Sequence, residues 1–324
     1  LVNKRAGINQ NPRFNRNQAG ATVGGPVVKN KTFFFALIEA NRFRQAPDAR
    51  NSTNATIPTQ AGFAALRNVP LGPDQTTESR TAMLGSLDFL NQIYARNPGF
   101  TNQRNVTVNG VAIPVGTINL PLANPANLWY AVGRVDHTLS QKDQLNYRYV
   151  IDDRNQPDVA SNLQFGNLFS GGQVIRRENH QASWTRLQTP KLVNEFRFAY
   201  VKGLLDFPEN DPRSATTTIT GLFTIGGLAN FPQGRKQDQF QWQDTMTYTA
   251  GRHSLKFGGN ISYVKLFNNS AFNSKGVWNF DNLQEFLNNR AANLQLALDV
   301  ATFDAREWNQ AYFIQDDFKV NKNL

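Results

Sequence analysis

The chain has 324 residues, a net charge of +10 and a hydrophobic fraction of 40%. Its mean hydropathy of −0.49 and its short apolar runs exclude a helical membrane protein, whose spans need roughly 18 or more apolar residues. It has no cysteine, which excludes disulfide bonds, thiolate metal sites and a thiol nucleophile. Lys and Arg are scattered, with no dense basic run among aromatic residues, so we expect no nucleic-acid partner.

The N-terminal part of the chain predicts a first hairpin over about 18–44. Residues 1–5, LVNKR, contain no initiator Met and no apolar signal segment, so either the protein is not exported or the sequence is an internal part of a longer one. Two strand-like segments flank a turn at 29–31. The second carries three successive Phe residues, which suit a pleated surface.

A long connection is predicted over about 45–126, where Asn, Thr, Pro and Gly cluster. One amphipathic helix is predicted at 79–95, because Met83, Leu87 and Leu90 follow the helical period. A connection of this length is uncommon in a compact domain and is usually functional or disordered.

Residues 127–155 predict the clearest hairpin. Trp129 and Val135 alternate with Arg134 and Asp136, which gives an extended chain one apolar and one charged face. After a polar turn the alternation resumes. Such strands suit either a soluble sandwich, whose apolar faces meet in a core, or the wall of a membrane barrel.

Three further hairpins follow, at about 176–205, 238–267 and 307–324. Long connections precede them, at about 154–175, 206–237 and 268–306. The last of these connections contains a predicted helix near 282–290, and the alternation of apolar and polar residues is clear in each of the three hairpins.

Short turns and long connections alternate along the whole chain, as they do in outer-membrane barrels with short periplasmic turns and long extracellular loops. A sheet in lipid must have no open edge. About nine strands and the start of a tenth are predicted, so we expect an all-β fold that forms part of a larger transmembrane antiparallel β-barrel, with short helices in its extracellular loops.

Four segments resemble the barrel of TonB-dependent outer-membrane receptors, and the Oar-like branch in particular. They are NRNQAGATVGGPVVKNKTFFFALIEANR (15–42), GRVDHTLSQKDQLNYRY (133–149), GRHSLKFGGNISY (251–263) and AYFIQDDFKVNKNL (311–324). The resemblance covers nearly the whole chain. It implies a 22-strand barrel, a plug domain and energised import across the outer membrane. We expect the sequence to be a barrel fragment, 1–324, without the plug, the TonB-contacting segment and the C-terminal half.

Charged residues on the polar faces of the predicted strands are candidates for the lumen, where they would line the substrate path or hold the plug. A simpler interpretation is that they belong to a generally polar lumen wall whose charges pair with one another. The six candidates are Arg134, Asp136, Arg148, Glu195, Arg197 and Lys256.

Aromatic residues on the apolar faces are candidates for the membrane interface, because amphipathic rings favour the headgroup level. The alternative is that they pack in a soluble core. The six candidates are Trp129, Tyr147, Trp184, Trp242, Tyr248 and Tyr263.

The sequence offers no catalytic or metal-binding motif. His137, His180 and His253 lie on separate predicted strands without metal-ligand spacing or a carboxylate partner. Asp316 and Asp317 are adjacent on a strand and therefore point to opposite faces. No Gly-x-Ser-x-Gly elbow occurs. We expect no enzymatic activity, no metal and no cofactor.

The strand pattern predicts a protein of the outer membrane of a Gram-negative bacterium, and the resemblance implies TonB-dependent transport of a ligand such as a siderophore, oligosaccharide or peptide. The expected partners are outer-membrane lipid and an unknown extracellular ligand, and the resemblance adds the plug and the TonB complex. Two alternatives remain open: a surface-binding or adhesion barrel without transport, and a soluble β-sandwich that binds carbohydrate.

Overall fold

The computed structural model describes residues 14–45, 52–95, 99–121, 125–161, 169–211, 214–299 and 301–321. In chain order the elements are β1 (Phe14–Val28), β2 (Thr32–Gln45), β3 (Ser52–Pro58), α1 (Gln60–Leu66), α2 (Thr77–Gly85), α3 (Leu90–Tyr94), β4 (Thr101–Val108), β5 (Val111–Pro121), β6 (Ala126–Thr138), β7 (Asp143–Ser161), β8 (Ser170–Thr189), β9 (Leu192–Phe207), β10 (Thr216–Ile219), β11 (Phe223–Ile225), β12 (Gln233–Ala250), β13 (His253–Ser270), β14 (Val277–Phe280), α4 (Leu283–Leu287), β15 (Asn293–Gln295) and β16 (Ala301–Phe318). The prediction of an all-β fold is confirmed. Within the described ranges, no helix has the length and hydropathy needed to cross a membrane.

The main body is a nine-stranded sheet with the order β1-β2-β6-β7-β8-β9-β12-β13-β16. All its neighbouring strands are antiparallel. The four short turns lie at one end of the sheet and the long connections at the other, as predicted. Asn30 and Gly251 have φ angles of +59° in two of these turns, a conformation that Asn and Gly adopt most readily.

Several strands continue past the predicted boundaries. β7 ends at Ser161 and β8 begins at Ser170, so the predicted loop over 154–175 is wrong in extent, because most of it is strand. β16 begins at Ala301 instead of near 307. β8 has 20 residues, whereas about 9–11 cross a bilayer. The long strands therefore extend beyond the membrane at the end that carries the long connections.

The described parts of the long connections fold together into a second body, which we call the cap: residues 52–95, 99–121, 208–211, 214–232 and 271–299, with Phe169. It contains a three-stranded sheet, β3-β5-β4, and a four-stranded sheet, β11-β10-β14-β15. The single helix predicted at 79–95 is instead two short helices, α2 and α3, with a turn between them. The helix predicted near 282–290 is present as α4.

Side-chain caps define where three of the cap helices begin. The Thr59 hydroxyl accepts a hydrogen bond from the Gly62 amide at 3.1 Å, and the Asn282 side chain accepts one from the Glu285 amide at 3.0 Å. Thr76 caps α2 in the same way. Hydrogen bonds at this helix start lower the pKa of Glu78 below its ordinary value, because they stabilise the carboxylate.

The hydrophobic core of the molecule lies in the cap and not in the main sheet. Every buried hydrophobic side chain in the described ranges belongs to the cap, except Ala126 at the start of β6. The largest side chains with less than 2% exposure are Ile57, Leu66, Leu87, Leu90, Ile93, Ile113, Ile118, Ile219, Leu283, Phe286 and Leu287. Neither face of the main sheet therefore packs against a hydrophobic core, whereas the inner faces of a β-sandwich do.

Candidate functional site

The register of the main sheet separates an apolar face from a polar face. Leu145 pairs with Trp184, and Trp184 pairs with Phe196, and side chains directly opposite each other share a face. The large apolar members of this face include Leu145, Tyr147, Trp184, Phe196, Phe198, Trp242, Ile261 and Tyr312. The residues between them in sequence point to the polar face.

The structure brings all six charged candidates to the polar face. Arg134 donates two hydrogen bonds to Asp136, at 2.8 and 2.7 Å, and Arg197 pairs with Glu195 at 2.7 Å. Arg148 donates to Gln181 at 2.9 Å. Lys256 lies on β13. Both ion pairs join residues of one strand and are partly exposed, so each contributes at most about 1 kcal/mol to stability.

Five of the six, all except Lys256, line one concavity of about 470 Å³ on the polar face. These five charges lie in the half of the strands next to the short turns. Towards the cap the same face carries uncharged polar groups, such as Gln239, Gln241 and Ser262, together with charged groups, such as Asp152, Arg177 and Glu307. The polar face thus offers a wall of hydrogen-bonding and charged groups from the cap to the short turns.

The six aromatic candidates all lie on the apolar face, but at different heights. A strand tilted by ~40° rises ~2.5 Å per residue along the barrel axis, so ~10 residues span an apolar band ~25 Å tall. Trp129, Trp242 and Tyr263 lie about ten residues beyond the nearest short turn, at the height of the outer boundary. Tyr248 lies near the short turns, and Tyr147 and Trp184 lie at mid-height.

Three aromatic residues at the outer boundary are not among the sequence candidates: Tyr200, Phe240 and Trp308. Tyr263 stacks on Trp308 with a ring distance of 4.5 Å, and Tyr200 stacks on Phe240 at 4.9 Å. A charged row lies one register step beyond this aromatic row: Glu178, Lys202, Asp238, Lys265 and Arg306. Counting about ten residues from each short turn would have found these rings, because strand length fixes height in the membrane.

One carboxylate departs from the apolar pattern. Asp244 lies on the apolar face, where it accepts a hydrogen bond from the side-chain amide of Asn194 at 2.7 Å. A charged group at this height is costly in lipid. The hydrogen bond from Asn194 offsets part of that cost.

The three histidines occupy separate places, as predicted. His137 bonds to the Thr32 hydroxyl at 2.9 Å and His180 to the Tyr147 hydroxyl at 2.8 Å. The expectation that no histidine has a carboxylate partner is wrong for His253, because its register places Asp316 at 2.6 Å. In the described part of the chain, no group of three or more His, Cys, Asp or Glu side chains is arranged to hold a metal ion.

Polar contacts join the separate segments of the cap. The side chains of Glu209 and Lys275 are 1% and 11% exposed and form an ion pair at 2.5 Å; the Glu209 carboxylate also accepts from the Leu228 amide. Arg80 donates to the carbonyls of Val69 and Pro70, and burial lowers its pKa. Because these buried groups bond to other segments of the cap, they hold the cap segments in one arrangement.

Comparisons with known proteins agree with this geometry. A family model described as an outer membrane beta barrel domain matches residues 2–324, and the chain belongs to this family. It is therefore an outer-membrane β-barrel protein of a Gram-negative bacterium, in a lipid environment, and the soluble-sandwich alternative is wrong. A comparison with curated proteins gave no significant match.

A solved structure has a similar fold. The outer membrane transporter YddB from Escherichia coli superposes with a TM-score of 0.54 at 10% sequence identity. The superposition covers 94% of this chain and 32% of that one, so the chain spans about a third of the length of YddB. At this identity the likeness shows the fold alone.

Proposed function

We propose that this chain is part of the barrel of a TonB-dependent outer-membrane transporter of the Oar-like type. The cap captures an extracellular ligand, and the ligand then passes along the polar face through a lumen that opens when a plug moves. No covalent chemistry is involved, and neither a cofactor nor a nucleic acid takes part.

The observation that carries this proposal is the division of the sheet into two faces. The apolar face suits lipid, while the polar face carries hydrogen-bonding side chains from the cap to the short turns. A wall of this kind lines a water-filled path in outer-membrane barrels. The resemblance to TonB-dependent receptors and the fold shared with an outer membrane transporter support the same function.

An apolar patch on the polar face supports a plug as partner. Phe33 and Phe35 are 42% and 39% exposed, and they pair across strands with Asp136 and Arg134. Large exposed rings on an otherwise polar wall favour contact with another folded surface. A plug inside the barrel would cover these rings and meet the neighbouring charges.

Surface binding without transport is the second candidate. The observation that favours it is the cap, which has its own core and presents a folded surface to the outside. Binding alone would need neither the polar wall nor TonB.

Growth experiments in the native bacterium test the transport proposal. The gene is deleted, and the strain is grown with iron chelates, oligosaccharides or peptides as single nutrient sources, beside a strain without TonB. We expect both deletions to abolish growth on the same source, because TonB supplies the energy for import. Normal growth on every source, with loss of cell attachment that does not depend on TonB, would contradict transport and favour adhesion.

A further inference from the structure

The four-stranded sheet of the cap ends at β15, and in the described part of the chain no further strand pairs with this edge. The opposite end of the sheet is covered, because the Thr56 amide of β3 donates to the Leu222 carbonyl, beside β11, at 3.1 Å. Open edges normally carry charged side chains that discourage pairing with other chains. The segment from Asn293 to Leu298 carries none.

The backbone groups of β15 alternate between β14 and the open edge, as they do in any extended strand. The Phe280 carbonyl accepts a hydrogen bond from the Thr220 amide at 2.9 Å, so the even-numbered residues of β14 bond towards β10 and the odd-numbered ones towards β15. The partners of those odd-numbered residues on β15 are Asn293 and Gln295. The N–H and C=O groups of Leu294, between them, therefore face the open edge.

The same alternation continues past the end of β15. The Ala297 amide donates to the Asn273 carbonyl at 3.1 Å, towards the chain that leads into β14, so the backbone groups of Leu296 also face the open edge. Leu294 and Leu296 together present two N–H donors and two C=O acceptors in a row. Another polypeptide in an extended conformation is the partner whose groups match such a row.

The side chains at this edge form an exposed apolar surface. Trp278 of β14 pairs with Leu294, and Leu296 lies two residues further along on the same face. These side chains close over Gly276, where an added Cβ would lie 3.2 Å from Leu294 and 3.6 Å from Trp278. Leu294 and Leu296 are nevertheless 43% and 50% exposed. Adjoining apolar side chains that stay exposed on a folded surface mark an interaction site.

This apolar surface continues the core of the cap. Phe280 lies on the same face of β14 as Trp278 and packs on Phe286 in the core, with ring centroids 5.2 Å apart. The other face of the sheet is polar there, since the side chains of Asn279 and Asn293 bond at 2.7 Å. An added strand with apolar side chains on the core face would extend the core, whereas charged side chains would lose hydration without gaining a partner.

We infer that the open edge of β15 binds an extended peptide of another molecule, which adds a fifth strand to the sheet and places apolar side chains, at alternate positions, beside Leu294 and Leu296. This inference goes beyond the proposed transport function. Binding at the edge requires no plug, no TonB and no passage through the lumen.

Fluorescence anisotropy on the whole protein that contains this chain, in lipid nanodiscs, tests the inference. The probe is a labelled seven-residue peptide of alternating threonine and valine, and nanodiscs without protein give the background. Two further peptides have the same side chains but carry N-methyl groups, either on every valine or on every threonine. One of these two should bind about tenfold more weakly than the probe, because it lacks the N–H groups that face β15. The other keeps those groups and should bind like the probe.

Three substitutions locate the binding at the edge. Leu294→Lys places a charge on the apolar face and should weaken binding of the probe about tenfold. Gln295→Lys is the matched control, because it places the same charge on the opposite face, and it should leave binding unchanged. Leu296→Pro removes an N–H group that faces the open edge and should also weaken binding.

Protease resistance of the cap shows whether each variant keeps its fold, and the N-methylated peptides need only the wild-type protein. Equal binding of all three peptides would overturn the inference, as would equal binding of the probe by the wild type, Leu294→Lys and Leu296→Pro. Absence of binding to the whole protein would overturn it too, because the edge would then be covered by another part of the protein or by a second copy. The readout is binding to purified protein, so it stays informative even if the transport experiment fails.

Discussion

Replacing Phe286 with alanine is expected to unfold the cap and to leave the main sheet in the membrane. Phe286 is 1% exposed and lies at the junction of the cap segments, and removal of a buried Phe side chain costs about 3–5 kcal/mol. The cap has one shared core, so this loss should loosen all its segments together. Protease added to intact cells should then cut within the cap, which we expect to resist cleavage in the wild type.

The matched control is Phe272→Ala in the same connection. Phe272 is 47% exposed, so its loss should change protease resistance little. Barrel integrity is followed separately by the shift in gel mobility between heated and unheated samples. If Phe286→Ala leaves the cap resistant, or if it abolishes the barrel as well, the cap is not an independently folded body.

Replacing either of two alanines on neighbouring strands with arginine should have different effects, because one alanine lies on the apolar face and the other on the polar face. Ala182 of β8 pairs with Phe198 on the apolar face, and Ala199 of β9 pairs with Gln181 on the polar face. Both lie about eight residues from the short turn between β8 and β9, between the middle of the apolar band and its outer boundary. Ala182→Arg should cost about 1–3 kcal/mol of folding free energy, because it places a charge in the lipid, whereas substitutions on the lumen side are tolerated.

Urea titration of the whole protein in phospholipid vesicles measures both variants. Ala199→Arg serves as the control, and we expect its folding free energy to stay within about 1 kcal/mol of the wild type. A larger loss for Ala199→Arg than for Ala182→Arg would reverse the assignment of the faces.

The two-faced strands could be predicted from sequence because the environment imposes period two on them. Lipid requires Trp184, Phe196 and Phe198 to be apolar, and the polar face accepts residues such as Glu195 and Arg197 between them. The alternation therefore gave the hairpins and their faces correctly. Above the membrane this constraint ends.

The strand extensions could not be predicted, because the alternation that lipid imposes ends above the membrane. Residues 152–161 pair with β8 through backbone hydrogen bonds and an irregular register between Gln156 and Ala160. Their side chains show no apolar alternation, because neither face meets lipid at this height. A polar sequence that contains Pro157 is typical of a loop. Only its pairing with β8 shows that these residues continue the strand.

In the cap, the sequence predicted which residues are buried better than it predicted their backbone. Leu87, Leu90 and Ile93 are all buried, as the helical spacing indicated. At the end of α2 the backbone hydrogen bonds join residues three apart, such as the Leu87 N–H to the Leu84 carbonyl and the Asp88 N–H to the Gly85 carbonyl. Such bonds wind the chain more tightly than an α-helix, and the helix is interrupted there.

Pairs that are distant in sequence could not be predicted at all. Glu209 and Lys275 meet in the cap, and His253 meets Asp316 across two strands. Such contacts depend on register and on the packing of the loops, and neither leaves a local sequence signal.

The apolar face of the sheet should meet lipid, and the polar face should meet water. Electron paramagnetic resonance of single nitroxide labels along β9 tests it most directly, since the chain contains no cysteine that would react with the label. Labels at Phe196→Cys and Phe198→Cys should be accessible to oxygen dissolved in the lipid. Labels at Arg197→Cys and Ala199→Cys should show low oxygen accessibility and, where the lumen is open, contact with a water-soluble nickel complex. Equal accessibility at all four positions, or the opposite alternation, would contradict the account.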